Sequence, residues 1–423
     1  MKTFFTATYL SILSIIIVLL GCSSDKSTTP NYSDLDKENV SVIDIKWDES
    51  TTVFNASDMI DLLRIDTSNQ IYYFKTTSLK ASSLKIGDKV VINDYNFFKV
   101  KQVNNIGKEI QVTAEFVPFT EVVEDALLQW EHTINYDLNY IMKAYKSLGA
   151  NIQTITSDSI GFNIKIGSFE YTISMKLLGN VLKIDMIIEK VIADTKVARL
   201  VLEGEIKRFR YKGLIKIVDH ELEDFQGSGN YLIGEFKIKI AATGSGNDLN
   251  LEVPLPLLKL PLAPIPFLFL DVKCLVVMNA VVPQGASTIL EYIFKYDSDQ
   301  GFTYHKGSNK AFPVVNMRNY DFETLKQPQS GAPGAMALSW GLGVPRFELN
   351  LGAPEIYNTT IGWFHSAYLV GGDYTFQPPC QQSKAAFLGA YGWALGAFGL
   401  NFISGSGNLW NYEKVFLKAG QCP

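Results

Sequence analysis

Two aspartates separated by a single residue, Asp297 and Asp299, carry the carboxylates of this chain that best suit a metal ion. They lie in the run Asp297-Ser298-Asp299-Gln300-Gly301, where alternate carboxylates and a glycine bend are the features with which a calcium loop begins. A bidentate glutamate should close such a loop, and Ser308 stands where it is expected. We therefore favour an acidic hairpin turn here and keep Asp297 and Asp299 as an alternative calcium site.

Histidines offer little metal or catalytic chemistry, because none of the four lies close to another: His132, His220, His305 and His365. A histidine-rich metal site of the usual spacing is not predicted, and the sequence indicates no cofactor. His220 lies in a run of alternating charges, which indicates a solvated side chain. Gly405-Ser406-Gly407 lacks the outer glycines of a nucleophile elbow. The sequence thus predicts no catalytic residue and favours a protein that is not an enzyme.

Two kinds of side chain could act on or bind sugars. Carboxylate pairs that hydrolyse glycosidic bonds need a separation in space rather than a sequence motif, so a glycan-active hydrolase is an alternative. Four of the six tryptophans lie in the last third of the chain, where they are candidates for stacking on sugars: Trp340, Trp363, Trp393 and Trp410. Core packing is the favoured interpretation of these tryptophans, because this residue type is highly buried on average.

One basic cluster occurs in the chain, formed by Lys207, Arg208, Arg210, Lys212 and Lys216. Such a cluster suits anionic lipid headgroups or acidic glycans. Acidic residues at 203, 205 and 219 favour instead the solvated face of a strand. The net charge of −5 gives no reason to expect a nucleic-acid partner.

Cysteine placement suits an oxidising compartment. Cys380 and Cys422 bracket the C-terminal segment, and we predict a disulfide between them. Cys274 lies in an apolar, strand-like run, which predicts a buried free thiol and not a nucleophile.

The fourth cysteine, Cys22, closes a short secretory signal. Lys2 precedes an apolar stretch over 9–20, which is well short of the roughly 20 residues that a spanning helix needs. The run Leu19-Leu20-Gly21-Cys22 resembles the lipobox of bacterial lipoproteins. That resemblance implies that residues 1–21 are a signal peptide and that Cys22 is lipidated and becomes the new N-terminus. An ordinary signal peptide or a transmembrane anchor is the alternative.

The residues after Cys22 are polar through Pro30, and we predict a flexible tether over 22–38. Ser23 beside the cysteine is similar to the pattern of outer-membrane lipoproteins, and the Ser-rich start resembles those of Bacteroidota. The resemblance implies an outer-membrane lipoprotein, whose periplasmic or cell-surface face stays open.

The body of the chain is predicted to be mainly β. With 47% hydrophobic and 19% charged residues, its 423 residues suffice for a sizeable core. Strand and turn signals predict a small N-terminal β domain over 39–118, and apolar spacing of three and four predicts a helical connector over 119–150. Within the connector, one helix is predicted from a Thr120 cap through Trp130, and the pattern continues from Leu138 to a stop at Gly149. A long antiparallel β-sandwich or roll follows over 151–330, and a Gly- and aromatic-rich β region over 331–423 is expected to pack with it.

Three patterns support this architecture. Apolar residues alternate over 160–166 and 169–175, and a shift in parity between Ile206 and Phe209 suggests a bulge. Five prolines in the apolar tract 251–282 favour an edge strand or a crossover buried in the core, with an exposed lipid- or partner-binding lip as the alternative. Large residues alternate with small ones over 335–344, which suits closely packed sheets or a narrow closed barrel, and we favour the sandwich or roll.

These features lead to one principal functional hypothesis and two alternatives. The principal one is a lipid-anchored envelope protein with a non-enzymatic role in binding, adhesion or envelope structure. A lipid carrier with an apolar groove over 255–270 and a glycan-active hydrolase are the alternatives. The expected partners are the membrane, through the N-terminal lipid, and a glycan or another envelope protein.

Overall fold

The computed structural model describes most of the chain beyond residue 31. The described ranges are 32–92, 96–192, 195–243, 249–262, 268–281, 287–308, 310–326, 336–353, 357–375, 377–399 and 404–422. Cys22, the predicted signal peptide and most of the predicted tether lie outside them. The chain divides into two units, Met1–Lys37 and Glu38–Pro423, and a 3-10 helix spans Tyr32–Asp36 in the first.

The second unit is built mainly from strands, so the predicted fold class is confirmed. In chain order the strands are β1 Val40–Trp47, β2 Thr51–Phe54, β3 Leu62–Asp66, β4 Ile71–Lys75, β5 Lys89–Ile92, β6 Asn96–Ile106, β7 Glu109–Glu115, β8 Val123–Ile134, β9 Asn151–Ile155, β10 Ser159–Ile166, β11 Phe169–Leu178, β12 Val181–Ile192, β13 Thr195–Lys207, β14 Phe209–Val218, β15 Glu221–Thr243, β16 Leu249–Pro261, β17 Leu268–Val281, β18 Ser287–His305, β19 Phe312–Lys326, β20 Met336–Ala353, β21 Tyr357–Thr375, β22 Cys380–Ala394 and β23 Ser404–Gly420. The helices are α1 Leu79–Ser83, α2 Phe119–Val122 and α3 Leu138–Ser147, with 3-10 turns at Asp58–Asp61 and Leu395–Phe398.

The strands form three sheets. The large sheet has the order β1-β8-β14-β15-β13-β12-β11-β10-β9, and β15 also pairs with β18, which pairs with β19. The C-terminal sheet has the order β16-β17-β20-β21-β22-β23, and the small sheet has the order β2-β5-β6-β7-β4-β3. Every described pairing is antiparallel except that of β2 with β5. The tract predicted as one domain over 151–330 is thus divided between the large and C-terminal sheets.

The small sheet corresponds to the predicted N-terminal β domain and has its own core, which includes Phe54, Phe74 and Phe98. Its first strand, however, begins at Thr51 and not near residue 39. β1 belongs to the large sheet, where it pairs with β8 and places Trp47 opposite Val123. The small sheet is therefore inserted between two neighbouring strands of the large sheet.

The predicted helix over Thr120–Trp130 is wrong for most of its length. Only Phe119–Val122 is helical, and β8 then pairs with β1 and β14. Ala126, Leu128 and Trp130 are buried at a spacing of two, which a strand with one covered face requires. The second predicted helix is confirmed as α3, which Asp137 caps through the backbone N–H of Asn139.

The large and C-terminal sheets pack face to face through aromatic side chains. The ring of Tyr368 in β21 lies 3.6 Å from that of Phe294 and 5.5 Å from that of Tyr296 in β18, between centroids. The predicted alternation in β10 and β11 is confirmed, because these residues are buried: Ile160, Phe162, Ile164, Phe169, Tyr171, Ile173 and Met175. Tyr145 of α3 packs on Phe162 at 4.1 Å between ring centroids, so α3 contributes to the same core.

The shift in parity between Ile206 and Phe209 has a more extended cause than one bulge. The chain breaks its strand at Arg208, between β13 and β14, although both strands pair with β15. The register of β15 with β18 shifts between Gly229 and Leu232, where Tyr231 has a φ of 62°. The predicted bulge is therefore replaced by a break between two strands at Arg208, and the register shift in the neighbouring strand β15 is a separate irregularity.

The described residues of the proline-rich tract 251–282 lie largely in the C-terminal sheet, and the edge-strand interpretation is confirmed for its first part, β16. Pro254, Pro256 and Pro261 fall in β16, an edge strand of that sheet, where missing N–H donors are tolerated. Most of the described leucines of the tract are buried in the core, among them Leu255, Leu257, Leu258, Leu262 and Leu270, while Leu260 and Leu275 are half-buried. Core burial is thus confirmed for most of these side chains, while Pro264 and Pro266 lie outside the described residues.

Glycines in these sheets lie directly opposite aromatic residues of the next strand. Gly213 faces Trp130, and a Cβ added at this glycine would lie 1.9 Å from the indole ring. The same pairing joins Gly392 to Trp363, Gly389 to Trp410 and Gly405 to Trp393. The large rings fill the space that a missing side chain leaves on the neighbouring strand, and this accounts for the joint excess of glycine and tryptophan in the last third.

The predicted disulfide and the predicted buried thiol at Cys274 are confirmed. Cys380 and Cys422 form a disulfide with 4.9 Å between their Cα atoms, and it joins the start of β22 to the residues after β23. Cys274 is a buried free thiol, and burial raises its pKa well above the ordinary value. Among the described residues, no helix is both long and apolar enough to cross a membrane.

Candidate functional site

A cleft of about 820 Å³ opens where several turns of the three-sheet body meet. This space, called the cleft, is lined by thirteen residues: Asp48, Lys89, Thr120, Glu121, His220, Glu221, Leu222, Tyr304, Lys306, Gly307, Ser308, Phe398 and Gly399. Lys89 begins β5 of the small sheet, whereas His220 and Lys306 follow strands of the large sheet. The cleft therefore lies at the border between the inserted small sheet and the sandwich.

Backbone conformation brings His220 to the cleft. Asp219 and His220 connect β14 to β15 with φ values of 48° and 63°. Two successive positive φ angles are required by the type I′ hairpin turn, whose twist matches that of the flanking strands. Asp and His are among the residues enriched at positive φ. The turn projects the imidazole away from the sheet toward α2.

One hydrogen bond orients the His220 ring, and a carboxylate lies beyond hydrogen-bond distance on its other side. Nδ1 lies 3.1 Å from the backbone oxygen of Thr120, and Nε2 lies 3.7 Å from Oδ2 of Asp48. Asp48 also accepts from Lys89 at 3.1 Å. Hydrogen bonds from Ser50 and then from Lys89 lower the pKa of Asp48, so its carboxylate stays ionised at neutral pH.

A second charged group lies across the cleft at Lys306. Its Nζ is 2.6 Å from Oε2 of Glu221 and 2.7 Å from Oε1 of Glu223. Hydrogen bonds to both glutamates raise the pKa of Lys306, and the same contact lowers the pKa of Glu221. The ammonium is therefore charged and already bound to carboxylates.

The floor of the cleft is apolar and firmly packed. Leu222, Tyr304 and Phe398 line it and belong to the buried core. Thr120, which was predicted to cap a helix, instead donates its hydroxyl to the backbone oxygen of Phe398 at 2.7 Å. The cleft thus combines a fixed polar rim with a rigid apolar floor, an arrangement suited to binding.

The predicted site residues lie elsewhere. Asp297 and Asp299 are within β18 and not in a hairpin turn, so the favoured interpretation of that segment was wrong. Their carboxylates accept from Arg318 of β19, with Nε 2.6 Å from Asp297 and Nη1 2.5 Å from Asp299. Within the described ranges no group of three or more metal-ligating residues occurs.

The described tryptophan candidates serve the packing of the sheets. Trp393 and Trp410 are buried, and Trp363 lies half-buried over Gly392. The guanidinium of Arg346 lies 4.6 Å from the centroid of Trp363. The side chain of Trp340 is outside the described set. Core packing is therefore confirmed for Trp393 and Trp410.

The basic cluster is only partly solvated. Arg210 is 1% exposed, so its assignment to a wet strand face was wrong. It donates to Glu131 at 2.6 Å and to Thr133 at 2.9 Å, and Lys212 also contacts Glu131 at 2.9 Å. Burial of a guanidinium requires such partners.

The other histidines lie away from the cleft. His132 contacts the hydroxyl of Ser41 at 2.7 Å between the paired strands β1 and β8, and burial lowers its pKa. His305 contacts Asp224 and is exposed. His365 lies on β21 beside Trp363, with ring centroids 5.2 Å apart.

His365 belongs to a charged cluster on the C-terminal sheet. Glu348 accepts from Lys273 and, at 2.7 Å, from Arg346. Burial acts to raise the pKa of Glu348, but these hydrogen bonds lower it overall. Arg346 also lies 3.3 Å from Nδ1 of His365, which must accept because a guanidinium only donates. Burial, and then the Arg346 charge, lower the pKa of His365 to about 4.

We expect the free energy of unfolding to fall as the pH drops from about 6.5 toward 4. In that window the unfolded chain binds a proton at His365 that the folded chain does not, a loss of up to about 3 kcal/mol. Chemical denaturation of the wild type and of His365→Gln at several pH values measures this contribution of His365 to the free energy of unfolding. The stability difference between the two proteins should change through this window, and parallel pH curves would contradict the assignment.

Sequence reasoning missed most of the cleft. Among its residues, Thr120 had been considered only as a helix cap and Ser308 only as the residue in place of a closing glutamate. His220 had been assigned to solvent. The His220 side chain is indeed exposed at the turn, and its ring is also hydrogen-bonded to the backbone oxygen of Thr120.

Comparison of the chain with protein-family models, curated proteins and solved structures finds no match.

Proposed function

We propose that this chain is a lipid-anchored protein of a bacterial outer membrane with a non-enzymatic binding role, and that the cleft holds its ligand. The lipobox-like run at Cys22 supports the anchor. The cleft supports the binding role, because its polar groups come from segments far apart in sequence that converge on one rigid floor. This convergence is the observation on which the proposal rests.

Core packing argues against the lipid-carrier alternative. The leucines that would line an apolar groove, such as Leu255 and Leu270, are buried between the sheets. The ion pairs at the rim of the cleft also disfavour acyl chains, since burying charged pairs against hydrocarbon is unfavourable. A binding site for a polar ligand uses the same residues without that penalty.

The anchor is tested by Cys22→Ser. We expect the variant to lose fatty-acid labelling and to leave the membrane fraction, because a hydroxyl does not take the place of the lipidated thiol. Membrane fractionation and metabolic labelling with an alkyne fatty acid measure both effects. Cys274→Ser is the matched control, since that thiol is buried in the folded body and should not be modified.

Membrane association of the Cys22→Ser protein at wild-type level would contradict the anchoring proposal. Protease treatment of intact cells then assigns the face of the membrane: digestion of the wild-type body indicates surface display, and protection indicates the periplasm.

A further inference from the structure

We infer that the cleft binds an uncharged, hydroxyl-rich ligand of the saccharide class, an inference that rests on the binding function proposed above. Its volume of about 820 Å³ falls within the range of roughly 300–1,000 Å³ that small-molecule sites occupy. A short oligosaccharide fits a space of this size.

The charges of the cleft disfavour an anionic ligand. Both ammonium groups are already bound, Lys89 to Asp48 at 3.1 Å and Lys306 to Glu221 at 2.6 Å. Glu121 adds a further carboxylate to the lining. An anionic ligand would have to displace a carboxylate from a lysine and would meet an excess of negative charge. Phosphates and acidic glycans are therefore poor candidates.

The same ion pairs suit hydroxyl groups. A paired carboxylate keeps lone pairs that can accept, and a paired ammonium keeps N–H groups that can donate. A sugar hydroxyl both donates and accepts, so it can bond to either member of a pair without breaking it. Hydrogen bonds to charged partners are also stronger than those between neutral groups.

The floor adds apolar contact to the polar rim. A sugar ring has a polar edge and an apolar C–H face, and Leu222, Tyr304 and Phe398, which are 1–3% exposed, offer small apolar patches to that face. The hydrogen bond of His220 to the backbone oxygen of Thr120 orients the imidazole before a hydroxyl binds to it, which reduces the side-chain freedom lost on binding.

The test is calorimetric titration of the full lipidated chain in detergent with three oligosaccharide sets. These are neutral hexamers (malto-, cello-, xylo- and chito-oligosaccharides), anionic oligogalacturonates and cationic chitosan oligomers. We expect binding of at least one neutral set and none of the anionic set. Tightest binding of the anionic or cationic set, or binding of none, would overturn the inference.

His220→Asn tests the location of the site. Asparagine tolerates the positive φ of this position, so the turn should be kept while the ring is lost. We expect an affinity loss of about tenfold, which corresponds to about 1.4 kcal/mol, the size of one hydrogen bond. His305→Asn is the matched control, an exposed histidine beside an aspartate but outside the cleft. Equal affinities of the two variants would overturn the assignment to this cleft.

A photo-crosslinking residue at position 308 of the cleft, used in intact cells, separates the two levels of proposal. Capture of an envelope protein without any saccharide binding would overturn the saccharide class and support the proposed binding function. Absence of both capture and saccharide binding would count against both.

Discussion

Gly213→Val is expected to destabilise the protein by about 4 kcal/mol, at the upper end of what single core substitutions do. The Cβ of any larger residue at this position would lie 1.9 Å from the Trp130 ring, and that indole is 1% exposed. Because β8 and β14 are both interior strands of the large sheet, neither can move aside without breaking hydrogen bonds to its other neighbour. The midpoint of chemical denaturation, followed by tryptophan fluorescence, measures the loss.

Two comparisons show whether the overlap with Trp130 is the cause. Gly396→Ala should leave stability nearly unchanged, because a Cβ there meets no atom within 4 Å. Adding Trp130→Leu to Gly213→Val should destabilise less than the sum of the single changes, since the smaller side chain makes room for the valine. Strictly additive effects, or a Gly213→Val protein as stable as the wild type, would contradict the packing of this glycine against Trp130.

Arg318→Met is expected to destabilise the protein by a similar amount, about 3 to 5 kcal/mol. The guanidinium is 15% exposed and joins the carboxylates of Asp297 and Asp299, while the ring of Tyr231 lies 5.3 Å away. Burial acts to lower the pKa of Arg318, but hydrogen bonds to the two aspartates raise it overall, so the cation is permanent. Its removal leaves two adjacent carboxylates without their counter-charge, and equilibrium denaturation measures the effect.

The matched control is Arg64→Met, which breaks the contact of Arg64 with Glu109 at 2.8 Å on an arginine that is 53% exposed. A surface pair of this kind contributes less than about 1 kcal/mol. Combining Arg318→Met with Asp297→Asn and Asp299→Asn should recover much of the stability, because the uncompensated charges are then gone. If the triple variant is no more stable than Arg318→Met, repulsion between the carboxylates is not the cause.

Strand content could be predicted from this sequence where one face of a strand is buried. The alternation at 160–175 has a single interpretation, because each second residue faces the core. The segment that became β8 was ambiguous: its apolar residues satisfy a helical spacing of three and four as well as a spacing of two. Pairing with β1 and β14, which lie far away in sequence, decided between them.

The cleft could not be predicted for a related reason. Thr120 and Phe398 are 278 residues apart and come together only through the packing of the sheets. Asp297 and Asp299 lie close together in the sequence, but their spacing does not identify their partner, because it suits a calcium ion as well as an arginine. Only the register of β18 with β19 shows that Arg318 lies beside them.

The insertion of the small sheet between Trp47 and Val123 makes the architecture modular. Since these two residues are register partners, the inserted module leaves the sandwich at almost the point where it enters. A module attached in this way can drift in sequence except where Val91 and Phe97 pack into the core of the host sandwich. Lys89 belongs to the module and Lys306 to the host. If a molecule binds between them, sequence changes in the module and in the host would be selected together.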